Sequence, residues 1–317
     1  MPILIGVGLI WYSLSSMSED SRQTLWQNIK NANPYWVALS LSLAVLSHFS
    51  RAYRWKFLLE PLGYKPKLMN RFLAVMVAYI ANLGIPRSGE VLRGATLSTY
   101  EGVPFQKAFG TIISERVADL VMLMIIIGMA FFSQSGNMLN YFEEYNINPF
   151  LPIAILVTLI ILFVVFLKLI KYAKNSFLIK VKDFAQGVLE GIKSILYMKK
   201  KKEFLFHTFL IWGLYLLMFW VIKFAVPNME DTSWGIILVA FVAGSFSMST
   251  TNGGLGLFPY PIVVGAIFVF SGIAKEDGEA FGWVIWGAQT ILNIILGGIS
   301  LIILPIYNRK SNKTTPF

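Results

Sequence analysis

Apolar runs close to the length of a membrane span recur along the whole of this 317-residue chain. A helix needs about 20 consecutive apolar residues to cross the hydrocarbon core of a bilayer. Inside lipid the backbone must satisfy its own hydrogen bonds, which leaves closed barrels and helices as the spanning structures. The runs here are helix-length, so the expected class is an all-α polytopic membrane protein. Charged residues make up 14% of the chain and hydrophobic ones 56%, against about 25% charged in an ordinary globular domain. No soluble domain of useful size fits between the runs.

Full spans are expected at 35–50, 111–133, 151–170, 204–226 and 281–305, with a shorter first one at 3–14. That first run lacks the basic flank and small-residue cleavage site of a signal peptide, so it is read as a span. Basic residues mark the cytoplasmic side. Loop 51–71 holds Arg51, Arg54, Lys56, Lys65, Lys67 and Arg71 against Glu60, segment 171–203 holds nine lysines, and the tail holds Arg309, Lys310 and Lys313. The loops with Glu143 and Glu144, and with Glu230 and Asp231, have no base and should face outward. The net charge of +10 therefore belongs to the inner loops and points to no nucleic-acid partner.

Threading the chain through these sides requires 72–110 to enter and leave on the cytoplasmic face and 235–273 to do so on the outer face. Both are broken by glycine and proline, at LGIP and at STTNGGLGLFPYP. The expectation is about six full transmembrane helices plus two re-entrant helical hairpins. They form two inverted-topology repeats, 1–133 with hairpin 72–110, and 134–317 with hairpin 235–273 and the cytoplasmic basic segment 171–203. Interrupted segments at matching places in two inverted halves point to a transporter's midplane site.

Ionisable groups at membrane depth are costly and usually face a cavity or one another. Asn82, Arg87, Glu90, Arg93, Glu115, Arg116 and Asp119 cluster in the first broken segment and the helix after it. Arg87, Glu90 and Arg93 are three apart and would share a helix face. Guanidinium forks suit phosphate oxygens, so Arg87 and Arg93 are candidate phosphate ligands with Glu90 bracing them; an ion-pair staple is the plainer alternative. Glu115 and Asp119 lie four apart on one face, as do Gln289 and Asn293 in the second half; these four are candidate coupling or gating residues. Asn252, Gly253 and Gly254 would let backbone approach a headgroup, and Arg51 and Arg54 would touch inner-leaflet headgroups. His48 and His207 sit at span edges as interfacial packing residues. Cysteine is absent, and no metal or cofactor is expected.

The motifs RAYRWKFLLEPLG (51–63), NLGIPRSGEVLRG (82–94), ISERVADLVML (113–123) and NGGLG (252–256), in this order, resemble the lysylphosphatidylglycerol synthase transmembrane family, also described as flippase-like. The resemblance covers nearly the whole chain. It implies a bacterial inner-membrane, multi-pass protein with a cytoplasmic C-terminus that moves an anionic lipid between leaflets: a phospholipid derivative or a polyprenyl-phosphate-linked lipid. The synthase domain of some relatives is missing, so lysyl transfer is not expected and the chain is not read as an enzyme. Carried over by position, the family's charged motif falls on Arg87, Gly89, Glu90 and Arg93. Its E-R-x-x-D pattern falls on Glu115, Arg116 and Asp119, its basic-aromatic motif on Arg51, Arg54 and Trp55, and its glycine motif on Gly253, Gly254 and Gly256. Many relatives have a glutamate soon after the glycines; Phe258, Pro259 and Tyr260 stand there here, which puts proton coupling in doubt. The expected partners are membrane lipids, with a homo-oligomer or a partner lipid synthase left open. Two rival readings remain: an intramembrane enzyme on lipid phosphates or lipid-linked sugars, and a non-transporting scaffold for a synthase.

Overall fold

The computed structural model describes residues 2–85, 87–134, 195 and 198–309, and every named element in them is a helix. In order these are α1 (Pro2–Ser15), α2 (Glu19–Lys30), α3 (Pro34–Arg54), α4 (Lys56–Leu59), α5 (Leu68–Gly84), α6 (Ser88–Glu101), α7 (Phe105–Ser133), α8 (Lys201–Trp220), α9 (Trp234–Thr250), α10 (Tyr260–Phe270) and α11 (Lys275–Asn308).

Local chemistry sets several of the helix starts. Ser18 accepts from the Ser21 amide at 3.1 Å ahead of α2, whose first turn carries Glu19 and Asp20. Asn33 accepts from the Tyr35 amide at 3.0 Å ahead of α3, with Pro34 in the first turn. Each cap satisfies an amide that the helix leaves without a partner. Arg71 does the converse at the other end of α3, donating to the carbonyls of Ala52 and Tyr53 at 2.9 and 3.1 Å.

Three helices among the described residues are long and apolar enough to cross a membrane: Phe105–Ser133, Lys201–Phe224 and Lys275–Asn308. They cover the expected spans at 111–133 and 281–305 and all but the last two residues of 204–226. This corrects the expectation of six full spans and two re-entrant hairpins. The run at 3–14 forms α1, but its 14 residues reach only ~21 Å at 1.5 Å per residue, against ~30 Å of hydrocarbon. The run at 35–50 lies in α3, where His48, Arg51, Arg54 and several serines dilute the apolar face. The span expected at 151–170 lies outside the described residues. The hairpin assignment rested on counting every crossing, so it falls with the crossings. The stretch 72–110 instead forms α5 and α6, and 235–273 forms α9 and α10, as four separate shorter helices.

The main core is aromatic. Phe219 packs edge-on against Phe241 and Phe281, with ring centroids 5.6 and 4.9 Å away, and Phe268 lies 4.9 Å from Phe281. This joins α8, α9, α10 and α11. A second cluster around Trp55, Leu59, Leu97, Ile112 and Phe204 ties α4 to α6, α7 and α8. Outside these cores, large apolar side chains on the long helices face outward: Met124 is 52% exposed and Ile302 65%. Such a surface is costly in water and suited to lipid.

Helix direction follows from the end contacts. Asn70, at the start of α5, exchanges amide hydrogen bonds with Asn308, at the end of α11, at 2.8 and 2.9 Å. Further along, Gly297 of α11 lies against Ile80 and Met76 of α5 with no room for a Cβ. The two helices are therefore antiparallel. At the far end of α11, Asn28 donates to Asp277 at 2.5 Å and Ser13 to Glu279 at 3.3 Å, which docks α2 and α1.

The breaks after α5 and α9 meet. Asn252 donates from Nδ2 to the Gly84 carbonyl at 3.1 Å, and Gly253 lies against Leu83. Trp286 of α11 closes the turn, donating to the Gly253 carbonyl at 2.8 Å. Gly253 and Gly254 have φ of 57° and 87°, a region that side chains occupy only at a cost. A Cβ on Gly254 would lie 2.6 Å from Trp286 Nε1. Gly254→Ala is therefore expected to lower stability by roughly 2–4 kcal/mol, from left-handed strain plus overpacking. Thermal unfolding of the detergent-solubilised protein checks this, and an unchanged midpoint would show that the turn does not need the glycine.

Candidate functional site

A buried network of arginines and carboxylates lies between α3, α6 and α7. Arg51 and Arg54 are one turn apart on α3, and Glu115 and Asp119 are one turn apart on α7, so the two spacings match across the helix interface. Arg51 Nη1 reaches Glu115 Oε1 at 3.0 Å and Asp119 Oδ2 at 2.8 Å. Arg54 Nη2 reaches Glu115 Oε1 at 2.8 Å and Asp119 Oδ1 at 3.0 Å. All four residues are buried.

Arg93 enters from α6. Its guanidinium stacks on Trp55, 3.9 Å from the ring centroid, and its Nη2 lies 2.9 Å from Glu115 Oε2. That last contact is close enough for a charge pair but poorly aligned for a hydrogen bond. Trp55 is held in turn by its indole N–H, which donates to Thr111 at 2.8 Å. Arg54 also donates to Thr208 at 2.9 Å, Arg51 to Tyr215 at 3.3 Å, and Trp212 to Asp119 at 3.4 Å, so α8 closes one wall.

Arg116 forms the rim. Its side chain is 47% exposed, with Nη2 3.0 Å from Glu90 Oε1 and Nη1 3.6 Å from Asp119 Oδ2. Four guanidinium groups thus face three carboxylates, one positive charge in excess. Removing two ions from water costs several kcal/mol each, and mutual pairing repays it only when geometry and further hydrogen bonds are good. Thr208, Tyr215 and Trp212 supply part of this, while the Nε atoms of Arg51, Arg54 and Arg93 have no hydrogen-bond partner among the described residues.

The sequence-predicted residues distribute unevenly over this structure. Arg51 and Arg54, expected at the inner-leaflet surface, are buried at 4% and 0% exposure, a correction to that reading. Their basic motif is the counter-charge to α7 rather than a surface flag. Arg87 and Arg93 do not share a helix face as the three-residue spacing suggests. Arg87 precedes α6 with φ of 61°, exposed and outside every ion pair among the described residues, whereas Arg93 is 3% exposed and committed to Glu115. Glu90 braces Arg116 instead of Arg87 and Arg93. Asn82 stays at the break, where its side-chain oxygen accepts from the Gly89 amide at 2.8 Å.

Gln289 and Asn293 lie on the face of α11 between Trp286, which touches the second break, and Gly297, which touches α5. Gln289 Nε2 and Asn293 Oδ1 are buried with no hydrogen-bond partner among the described residues. His48, expected at an interface, is instead 4% exposed and stacked on Tyr79 with ring centroids 4.4 Å apart; both its ring nitrogens lack a partner among the described residues. His207 accepts or donates at Nδ1 to Ser50, 2.8 Å away. Sequence reasoning missed Thr208, Trp212, Tyr215 and Tyr79. They are single polar or aromatic residues on apolar helices, and nothing in their spacing distinguishes them from packing residues.

No group of three or more metal-ligating side chains occurs among the described residues. The family described as "Lysylphosphatidylglycerol synthase TM region" matches residues 1–297. A similar protein is the UPF0104 membrane protein MJ1595 of Methanocaldococcus jannaschii, 35% identical over 97 residues, which is 30% of this chain and 29% of that one. Another is the glycosyltransferase AglD of Haloferax volcanii, 27% identical over 106 residues, which is 32% of this chain and 17% of that one. The alignments thus span less than a third of either relative's length. No solved structure matches.

Proposed function

The chain belongs to the lysylphosphatidylglycerol synthase transmembrane family, and from that premise we propose that it moves an anionic lipid between the leaflets of the cytoplasmic membrane. What membership establishes is coarser: a multi-pass membrane protein of a flippase-like family, matching its transmembrane, non-catalytic region, with membrane lipids as partners. Both relatives named above are archaeal, so the bacterial inner membrane stays part of the proposal, as does a cytoplasmic C-terminus.

One observation carries the reading. A net-positive, buried charge network ends at half-exposed Arg116, which pairs with Glu90 in the first turn of α6, and exposed Arg87 stands just before that helix without an ion pair among the described residues. In this reading Arg87 and Arg116 contact the lipid phosphate, whose oxygens match the guanidinium fork. Arg93 and Glu90 position them, with Asn82 and the backbone at Asn252, Gly253 and Gly254 shaping the other side. Glu115 and Asp119 link the network to α3, so a shift of α7 would reach Arg51 and Arg54. The lipid tails stay in the membrane while the headgroup crosses. The halves 1–133 and 134–317 are read as related units, each with one broken helix pair.

The test is direct. Purified protein in proteoliposomes should exchange acyl-chain-labelled phosphatidylglycerol between leaflets faster than protein-free vesicles, as read by dithionite quenching. Equal rates would sink the proposal. Mass spectrometry of the same vesicles, showing no chemically altered lipid, separates this reading from an intramembrane enzyme.

A further inference from the structure

Beside the charge network lies a set of polar groups that the network does not use. His48 sits one turn before Arg51 on α3 and is 4% exposed, with both ring nitrogens unpartnered among the described residues. It stacks on Tyr79 of α5, whose hydroxyl is 3.0 Å from that of Tyr215, the residue that accepts from Arg51. One turn on from His48, Ala52 packs with Met76, Tyr79 and Leu296. Leu296 is one turn from Asn293, and Asn293 one turn from Gln289, on the stripe of α11 that faces α5 and the second break. Gln289 Nε2 and Asn293 Oδ1 are likewise buried and unpartnered among the described residues, as are the Nε atoms of Arg51, Arg54 and Arg93 in the network itself.

An unmet buried donor or acceptor costs about 1–3 kcal/mol, and native structures keep few of them. Several on the packed faces of α3 and α11, linked through Ala52, Met76, Tyr79 and Leu296, mark a place that a polar ligand fills. Their chemistry is mixed: an amide N–H donates, an amide oxygen accepts, and an imidazole does one at each nitrogen. A phosphate only accepts and an ammonium only donates; a hydroxyl does both. The charges nearby exclude an ammonium on a second ground. Glu115 is met by Arg51, Arg54 and Arg93, and Asp119 by Arg51, Arg54 and Arg116. Glu90 has one carboxylate oxygen free among the described residues, but its other faces Arg116.

Resting on the translocation reading above, we propose that His48, Gln289 and Asn293 form a hydroxyl-binding subsite beside the arginine network. The ligand is then an anionic lipid whose headgroup carries a polyol or sugar, and aminoacylated, cationic lipids are rejected.

Three acyl-chain-labelled lipids test this on the full chain in proteoliposomes: phosphatidylinositol, phosphatidic acid and lysyl-phosphatidylglycerol. Phosphatidylinositol should exchange roughly tenfold faster than phosphatidic acid, the worth of about one to two hydrogen bonds, and lysyl-phosphatidylglycerol at the protein-free rate. The double variant Gln289→Leu, Asn293→Leu should bring the first ratio to about one by removing those bonds. Lysyl-phosphatidylglycerol exchanging as fast as phosphatidylinositol, or a ratio that survives the double variant, overturns the inference. The wild-type ratios need no variant, so they decide the matter even where the double variant does not fold. Should the wild type move none of the three, the translocation reading fails by itself. Competitive retention of the same lipids through detergent purification then judges the headgroup: phosphatidylinositol kept over lysyl-phosphatidylglycerol sustains the subsite, and equal retention overturns it.

Discussion

Glu115→Gln is expected to destabilise the folded protein by about 3–5 kcal/mol, the cost of leaving a buried charge uncompensated. Glu115 is 1% exposed and is the shared counter-ion of Arg51, Arg54 and Arg93. Glutamine keeps the shape and one acceptor but removes the charge, so three buried guanidinium groups would be left with Asp119 as their nearest buried carboxylate. Surface pairs give no such effect, because solvent screens them and the median contribution is about 0–1 kcal/mol; Lys200 with Glu60, both partly exposed, is the internal control. Thermal unfolding in detergent measures the loss. Adding Arg93→Met to Glu115→Gln should recover part of it, since one uncompensated cation goes and methionine still packs on Trp55. A single variant as stable as wild type would show that the network is dispensable for folding.

Arg87→Ala should behave in the opposite way, stopping lipid movement while leaving the fold intact. Arg87 holds no ion pair among the described residues and sits exposed at the break, so its loss breaks none of the ion pairs of the network. Its φ of 61° costs of order 1–3 kcal/mol for a residue with a side chain. Strain kept at an exposed arginine fits a functional position better than a packing one. Each charge-assisted hydrogen bond to phosphate is worth about 1.5–3 kcal/mol, so exchange of phosphatidylglycerol should fall by at least about tenfold. Arg87→Gly should lose movement equally while raising the unfolding midpoint, because glycine adopts the left-handed conformation freely. Exchange at the wild-type rate in both variants would remove Arg87 from the site. The paired readout distinguishes the two positions: Glu115 governs stability, Arg87 governs transport.

The contrast shows what could be read from residue order. Arg87, Glu90, Arg93, Glu115, Arg116 and Asp119 stand out in the chain because charge in apolar surroundings needs a reason, and the structure gathers five of the six into one network. Its other half, Arg51 and Arg54, was visible but read as a surface signal. A basic pair after an apolar run looks the same whether it stays outside or turns inward, and the acid partners lie more than 60 residues away. The reversed fates of Arg87 and Arg93 were equally hidden. Three-residue spacing implies a shared face only if both residues are helical, and the helix begins one residue after Arg87.

The all-helical class, the membrane setting and the positions of the two breaks were determined by the sequence alone. They depend on composition and on local backbone preference, which residues carry with them. The meeting of Asn252 with Gly84 and the pairing of α3 with α7 were decided by the tertiary structure. These depend on which distant groups share a buried volume, and neither apolar length nor charge count specifies that.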